Sequence, residues 1–536
     1  MRLDARWDDD GTADGEVTQE LHWIDTLDSA IDEQQRHVLP PSERGLIQLY
    51  YTPASRDAAS QIRATAGALA ARLLRAIEWS AATKTAVETA SKGLSSAFDA
   101  EAAITAIANA LRDRWSALHD EDTDAEPRLA LISRRFEEVV RTVSVVFRKG
   151  PAGIERGLEA LSDGQQSLFY FALAAAVFDL ERDAVRGTIE GFDIEDLVVP
   201  ALSIFAIEEP ENHLSPYYLA RIVQQIRSLV ADGVAQAIVT SHSPAVLSRV
   251  EPAEVRYCRC DRVTGLTSIR AIDLPKKDDE AIKFVRGAML AFPELYFARF
   301  VILGEGDSER IVLPRLAQAE GLLLDPAFVA IVPLGGRHVQ HFWRLLNGLG
   351  IPHATLLDLD LGRKGGGYGR LKTAIEQLIA LGVKKERLLE ISGGGIISDE
   401  DFAEWHLRND EHLEAWANSL ARYGVFFSAP LDIDLALLKA YPGAYEAIIP
   451  TGGGPELTID EAAHAVLSKG GLALYDGDLK EYKAFFPEYR YHFLTHSKPA
   501  AHLQVLMKLD DEALRRRMPA FIRPLLEHVK KHLRRD

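Results

Sequence analysis

Acidic residues stand at the ends of apolar runs in this chain. Phe300-Val-Ile-Leu-Gly304 leads into Glu305-Gly306-Asp307-Ser308-Glu309, a pattern that reads as a strand, a glycine turn and a helix start. Glu305 sits at the strand tip. Glu309 follows one turn into the helix, so both side chains can face one point. Ala354-Thr-Leu-Leu-Asp358-Leu359-Asp360 closes a second apolar run with a D-x-D. An extended D-x-D puts two carboxylates on one side, about 7 Å apart. Alone, each motif reads equally as a helix-capping acid or a solvated turn. Together, at the carboxyl edge of a parallel sheet, Glu305, Glu309, Asp358 and Asp360 would repel unless a cation neutralised them. Oxygen-only ligation suits Mg²⁺ or Mn²⁺.

Basic residues flank these positions. Gly335-Gly336-Arg337-His338 ends another strand-like run, and Arg363-Lys364-Gly-Gly-Gly-Tyr368-Gly-Arg370 follows the D-x-D directly. The second stretch reads as a flexible loop. Its cations, Arg363 and Lys364, and Arg337 before them, lie where the phosphates of DNA would have to arrive. A solvated loop is the alternative.

A second constellation lies upstream. Leu161-Ser162-Asp163-Gly164-Gln165-Gln166 precedes a strongly apolar helix. Ser162 suits an N-cap and Gly164 permits close backbone approach, so Ser162, Gly164 and Gln165 could receive an anion at the helix N-terminus. A capped core helix fits those residues equally well. Leu202-Ser-Ile-Phe-Ala-Ile then delivers Glu208 and Glu209 at a strand end. One carboxylate can hold Mg²⁺ and the other can polarise a water. Ile238-Val-Thr-Ser241-His242 ends the next strand with a histidine, read after the other two motifs as a sensor of a nucleotide γ-phosphate. No G-x-x-x-x-G-K-[ST] occurs in the sequence. The loop that cradles β- and γ-phosphates is therefore missing, and weak or no ATP turnover is expected. Either the chain starts downstream of that loop, or the ATPase is degenerate, or another chain supplies the loop.

The elements that must position these residues are alternating strands and helices. Beyond the sites above, Arg2–Trp7, Val17–Trp23, Leu46–Tyr51, Ala235–Thr240, Phe328–Pro333, Arg387–Ile391 and Val425–Phe427 read as strands. Helical stripes run through Ile62, Ala66, Leu69, Leu73 and Ile77, and through Ile104, Ile107, Leu111 and Trp115. They suggest a packed helical hairpin, or dimerisation through the same face. At 536 residues, with 47% apolar and 26% charged residues, the chain is globular and too long for one domain. Its net charge of −18 argues against nonspecific coating of nucleic acid. Cys258 and Cys260 are the two cysteines, which excludes a disulfide scaffold. No run of about 18 apolar residues and no signal-peptide core is present, so a cytoplasmic protein without a membrane partner is expected.

The signature, double-Glu and histidine motifs, in that order, resemble the ABC-type ATPase heads of the SMC and Rad50 kind. That resemblance implies a signature motif at Leu161–Gln166 and a Walker B strand at Leu202–Glu209, with Glu208 at the metal position and Glu209 as catalytic base. It also makes His242 the switch histidine. The E…DxD pattern resembles the Toprim domain. An ABC head followed by Toprim resembles the OLD (overcoming lysogenisation defect) family of ATP-dependent nucleases, which includes phage-defence effectors.

The expected fold is thus α/β: a partial ABC-type ATPase domain with a helical insertion, then a Toprim parallel-sheet domain with helical additions. The bounds expected are a partial β-rich lobe at 1–54, a helical insertion at 55–150, the signature-bearing lobe at 151–250, a connecting segment at 251–297, Toprim at 298–500 and terminal helices at 501–536. The resemblance implies two-metal DNA cleavage, one ion activating water and the other stabilising the leaving oxygen. It matches Glu305 and Glu309 to the family's E-x-x-x-E, and Asp358 and Asp360 to its D-x-D. It further points to a metal-ligating acid at Asp432 or Asp434, and to Lys498 near the scissile phosphate. A structural role for those acids and a plain surface lysine are the alternatives. The partners implied are DNA, a second copy of the chain and an accessory defence protein, in phage defence or DNA repair. The cofactors are two Mg²⁺ or Mn²⁺ ions, with ATP open. A non-catalytic assembly or regulatory subunit is the competing reading.

Overall fold

The computed structural model describes all residues except 1, 9–15, 27–30, 55–67, 117–135, 142, 144, 148–155, 195–196, 198–199, 213, 262–263, 273–278, 336–338, 392–393 and 536. Two compact units divide the chain, Met1–Ser243 and Pro244–Asp536.

In the first unit, β1 (Arg2–Asp8), β2 (Glu16–Ile24) and β3 (Arg36–Val38) form an antiparallel sheet. A separate parallel sheet has the order β4-β7-β8, from β4 (Ile47–Thr52), β7 (Leu202–Glu208) and β8 (Ala235–Thr240). Two short antiparallel strands, β5 (Val146–Phe147) and β6 (Arg156–Gly157), lie between them in sequence. The helices Asp163–Val185 and Pro216–Val230 cover the parallel sheet. They send Tyr170, Val177, Phe178, Ile222 and Ile226 against Phe205 and Ile207 of β7. Both helices lie on the face of Tyr50 and Phe205; among the described residues Leu49, Tyr51 and Ile238 on the other face are exposed.

Part of the expected helical hairpin, including Ile62 and Ala66, lies outside the described residues. Of the second stripe, the helix Ala102–Ser116 leaves Ile107 and Leu111 exposed.

The second unit opens with an antiparallel hairpin, β9 (Arg256–Cys260) and β10 (Thr267–Ala271). Cys258 and Cys260 are exposed on it as free thiols. The helix Asp279–Ala291 follows and buries Val285, Ala288 and Met289. Segment 251–297 falls within the second unit.

The central sheet is parallel, with the order β12-β11-β13-β14: β11 (Phe300–Gly304), β12 (Val329–Pro333), β13 (His353–Asp358) and β14 (Val425–Ser428). Every residue of β11 is buried. One face is covered by helices including Val339–Leu349 and Tyr368–Ala380. The other is covered by Asp307–Ala319, Ile433–Ala440, Lys498–Leu506 and Ile522–Arg535. The terminal helix thus belongs to this core.

Two strand assignments need correction. Phe328 precedes β12 with φ +57° and an exposed ring. Arg387–Ile391 is no sheet strand: Lys385–Leu388 is a helical turn, and Glu390 pairs only with Ile396 in a lone bridge. Its apolar residues, Leu388 and Leu389, are buried from that turn. A short apolar run cannot by itself tell strand from buried helix.

Candidate active site at the strand switch point

The order β12-β11-β13-β14 reverses direction between β11 and β13. In such sheets a crevice opens at the carboxyl ends of the strands where the order reverses. Glu305 follows β11 and Asp358 ends β13, so the fold brings both to that crevice. The Asp358 amide donates to Glu305 Oε1 at 3.1 Å. Asp358 is paired in register with Ser428 of β14, whose hydroxyl donates to Asp358 Oδ1 at 2.7 Å.

Glu309 turns back over the helix start, and its Oε2 accepts the Gly306 amide at 2.8 Å. Gly304 makes this closure possible. A Cβ there would lie 2.6 Å from Cβ of Glu309, far inside contact distance. An open cleft of about 570 Å³ adjoins this turn, lined by Phe284, Phe292, Gly306, Asp307, Gly335 and Phe342 among others.

The D-x-D is not extended. The strand stops at Asp358, and Asp360 takes the left-handed conformation with φ +51°. Asp360 therefore turns to the arginines. Arg363 Nη1 donates to its Oδ1 at 2.7 Å and Arg370 Nε to its Oδ2 at 2.9 Å. Arg370 also reaches Glu305 Oε2 at 3.4 Å.

The loop expected to be flexible is wound tightly round Asp360. A Cβ on Gly366 would sit 1.8 Å from the Asp360 carbonyl oxygen. Arg363 points inward, to Asp360, to Asp432 at 3.3 Å and to the Tyr489 hydroxyl oxygen. Lys364 is exposed. Arg337 lies outside the described residues.

Asp432 and Asp434 separate into two roles. Asp432 is the N-cap of Ile433–Ala440, its Oδ1 accepting the Leu435 amide at 2.9 Å, while Tyr489 donates to its Oδ2. Asp434 is held by Lys498 Nζ at 2.5 Å and His502 Nε2 at 2.9 Å.

The electrostatics follow from burial and crowding. Burial raises Asp358 well above the carboxylate range, and Asp432, Glu305 and Glu309 push it further. Burial raises Glu305, while Arg370 and the Asp358 amide pull it back. Burial lifts Glu309 to about 8, with Asp434 and Glu305 adding to the rise. Asp432 rises through burial and the neighbouring Asp434, against Arg363 and Lys498. Burial also pushes Asp434 upward, but its contacts with His502 and Lys498 outweigh this and hold it well below normal. For Lys498, burial acts downward and is overcome by Asp434, Asp432 and Asp358, which raise it.

In the first unit, Glu208 ends β7 and accepts the Ala54 amide at 3.2 Å. Glu209 has φ +43° and lies 3.3 Å from His242 Nε2. The Asn212 amide nitrogen donates to Glu209 at 2.8 Å. Ser162 and Gln165 form a capping box with each other at the start of Asp163–Val185, and Gly164 is buried in its first turn. Glu209 and His242 are thus brought together.

Two domain families match. "Overcoming lysogenization defect protein-like, TOPRIM domain" covers residues 296–360, the stretch holding Glu305, Glu309, Asp358 and Asp360. "AAA domain, putative AbiEii toxin, Type IV TA system" covers residues 21–248, which include Glu208, Glu209 and His242. The chain thus carries an AAA-type domain match followed by an OLD-like Toprim domain match.

Among solved structures, the C-terminal region of the Xanthomonas campestris pv. campestris OLD protein is similar at 22% identity, covering 45% of this chain and 96% of that one, with TM-score 0.27. The C-terminal region of the Burkholderia pseudomallei OLD protein is similar at 18% identity, covering 44% and 99%, also with TM-score 0.27. No curated protein matches. Among the described residues, no helix is long and apolar enough to cross a membrane.

A Toprim domain implies divalent metal. The donor chemistry here fits one: Glu305, Glu309, Asp358 and Asp432 are hard oxygen donors, crowded enough to raise one another. Among the described residues no three His, Cys, Asp or Glu side chains stand as a ready metal group. Several of these carboxylates are instead turned onto protein donors. Asp360 and Asp434 make the shortest contacts with cations, while Glu305 and Asp432 lie 3.4 Å from Arg370 and 3.3 Å from Arg363, and among the described residues no such contact is made by Glu309 or Asp358.

Several residues escaped the sequence reading. His502 contacts Asp434, Tyr445 contacts His502 and Tyr489 contacts Asp432. Only His502 carried a signal, its four-residue spacing from Lys498 on one helix. In the ATPase unit, Glu211 Oε1 accepts from the Ser241 hydroxyl at 2.7 Å and from the amides of His242 and Ser243 at 3.1 Å each. It holds the histidine loop in place.

Proposed function

We propose that this protein is a divalent-metal-dependent DNA endonuclease that cuts phosphodiesters at the edge between Glu305 and Asp358. What supports the reading is the surplus of buried carboxylate over cation at one strand switch point, with a lysine beside it. Glu305, Glu309, Asp358 and Asp432 would hold the ions. When bound, those ions would supply Lewis acidity to the phosphodiester and lower the pKa of water.

The protein's own groups do the rest. Lys498 offsets negative charge as it builds on the phosphate. Arg370, braced between Glu305 and Asp360, fixes the loop that carries exposed Lys364, and that lysine receives DNA backbone. The Glu209–His242 pair would respond to nucleotide in the ATPase unit. The exposed Ile107 and Leu111 suit pairing with a second copy.

The test is nicking of supercoiled plasmid with Mg²⁺ or Mn²⁺. Wild type nicks, and Asp358→Ala loses at least about 100-fold, more than an outer-shell change costs. Calorimetry with Mn²⁺ shows uptake by wild type and weakened uptake by the variant. An inert wild type that binds neither ion overturns the proposal and leaves an assembly or regulatory subunit.

A further inference from the structure

Lys498 and His502 share one face of the helix Lys498–Leu506. Both end on the same carboxylate. Nζ of Lys498 lies 2.5 Å from Asp434 Oδ2, and Nε2 of His502 lies 2.9 Å from Oδ1. Asp434 is 2% exposed and His502 is 0% exposed.

A carboxylate can only accept, so Nε2 carries hydrogen, and the second ring nitrogen, Nδ1, faces the other way. The Tyr445 hydroxyl lies 2.7 Å from that Nδ1. Burial raises Tyr445 well above its usual value, so the phenol keeps its hydrogen. Phe493 stacks on the His502 ring at 5.0 Å and 23°, which fixes the ring plane. The run Tyr445–His502–Asp434–Lys498 therefore leads from the core of the second unit to its carboxylate crevice.

A lysine ammonium alone does not orient a carboxylate, because it is a point charge on a flexible stem. A second donor on a stacked, buried ring does. With Oδ1 pinned by the imidazole, Oδ2 is fixed in direction, and the ammonium that sits on it is fixed too. Were charge balance the only need, Lys498 would meet it without a histidine at Oδ1.

We propose that Tyr445 and His502 are positioning residues that set the direction of Asp434 and, through it, the place of the Lys498 ammonium beside Asp432 and Asp358. The proposal rests on the endonuclease reading for its effect on rate. The hydrogen-bonded geometry stands without that reading. Neither Tyr445 nor His502 touches DNA. They act as second-layer groups do around reactive centres, where removal costs roughly 10- to 100-fold.

The experiment uses the full chain carrying His502→Leu, His502→Gln, Tyr445→Phe, Lys498→Ala and the double variant Lys498→Ala/His502→Leu. In plasmid nicking with Mn²⁺, His502→Leu lowers kcat about 10- to 100-fold with KM for DNA unchanged. His502→Gln recovers most of the rate, because its amide N–H replaces Nε2–H. The double variant is no slower than Lys498→Ala, since residues acting through one group do not add. Multiplying effects would make His502 a general structural residue and overturn the proposal.

A second readout needs no nuclease activity. Reductive methylation with formaldehyde and a borane reductant labels lysine, and Lys498, 38% exposed, is followed by peptide mass spectrometry. Labelling of Lys498 is slow in wild type, several-fold faster in His502→Leu and Tyr445→Phe, and slow again in His502→Gln. Unchanged labelling in both His502→Leu and Tyr445→Phe overturns the proposal even if the enzyme nicks. An inert wild type whose labelling responds overturns only the endonuclease reading. If His502→Leu fails to melt cooperatively, Tyr445→Phe, which deletes one hydroxyl, decides by the same labelling.

Discussion

Glu309 gives a test of the crowded carboxylates that is independent of catalysis. It is 2% exposed. Burial, with repulsion from Asp434 and Glu305, carries it from 4.5 to about 8. The folded chain therefore keeps a proton that the unfolded chain has released. Stability from this group is complete below about pH 4.5 and is lost as pH rises through about 8. A rise of that size sets a ceiling near 5 kcal/mol at about 1.4 kcal/mol per pH unit. Glu305 and Asp434 share the repulsion, so about 2–3 kcal/mol is assigned to Glu309 itself.

Glu309→Gln keeps the acceptor for the Gly306 amide, 2.8 Å away, and never ionises. Its advantage over wild type should be near zero at pH 5.0 and about 2–3 kcal/mol at pH 8.5. For a unit of this size that is a rise in Tm of about 4–6 °C. The assay is thermal unfolding in EDTA at the two pH values, followed by tryptophan fluorescence. Trp343 and Trp405 of the second unit are fully buried reporters. An equal shift at both pH values, or a lower Tm at pH 8.5, would refute the reasoning.

Three further outcomes are expected. Gly366→Ala forces a Cβ against the Asp360 carbonyl, 1.8 Å from its oxygen, and should cost about 2–4 kcal/mol in denaturant unfolding; a neutral result would mean that the loop does not wrap Asp360. Glu211→Ala removes the acceptor shared by Ser241, His242 and Ser243. Hydrogen exchange at the last two amides should then quicken by about tenfold or more, and no change would show that the loop is held by other contacts. Arg72→Met strips the partner of Glu181, which is 2% exposed and bonded at 2.9 Å. The single change should cost about 3–5 kcal/mol by chemical denaturation, and Arg72→Met/Glu181→Leu should recover most of it; equal losses in both would contradict a buried charge pair.

Much of the frame was legible from residue types alone. Phe300–Gly304 is a strand because a continuous apolar run ending in glycine suits a sheet covered on both faces, while Leu202–Glu208 and Ala235–Thr240 bury alternate residues. Glu305 and Asp358 stand at strand ends for the same reason. The order of the strands brought them together. Nothing local states that β11 lies between β12 and β13, yet that order makes the crevice.

Spacing misled at three places. Asp360 was read as the outward twin of Asp358, but the strand ends one residue earlier and a positive φ turns Asp360 to Arg363 and Arg370. The three glycines after Lys364 suggested looseness, yet the backbone packs so closely there that Gly366 leaves no room for a side chain. Arg387–Ile391 had the apolar content of a strand and buries it from a helical turn.

Residue chemistry by itself determined that this protein carries acids at strand ends and a lysine opening a late helix. Only the tertiary structure decided that Asp434 belongs to Lys498 and His502, that Arg363 and Arg370 are shared by Asp360 with Asp432 and Glu305, and that Glu305, Glu309, Asp358 and Asp432 crowd one another. The reason is physical. A carboxylate's role is set by which charges and donors share its low-dielectric surroundings, and those neighbours arrive from segments far apart in the chain.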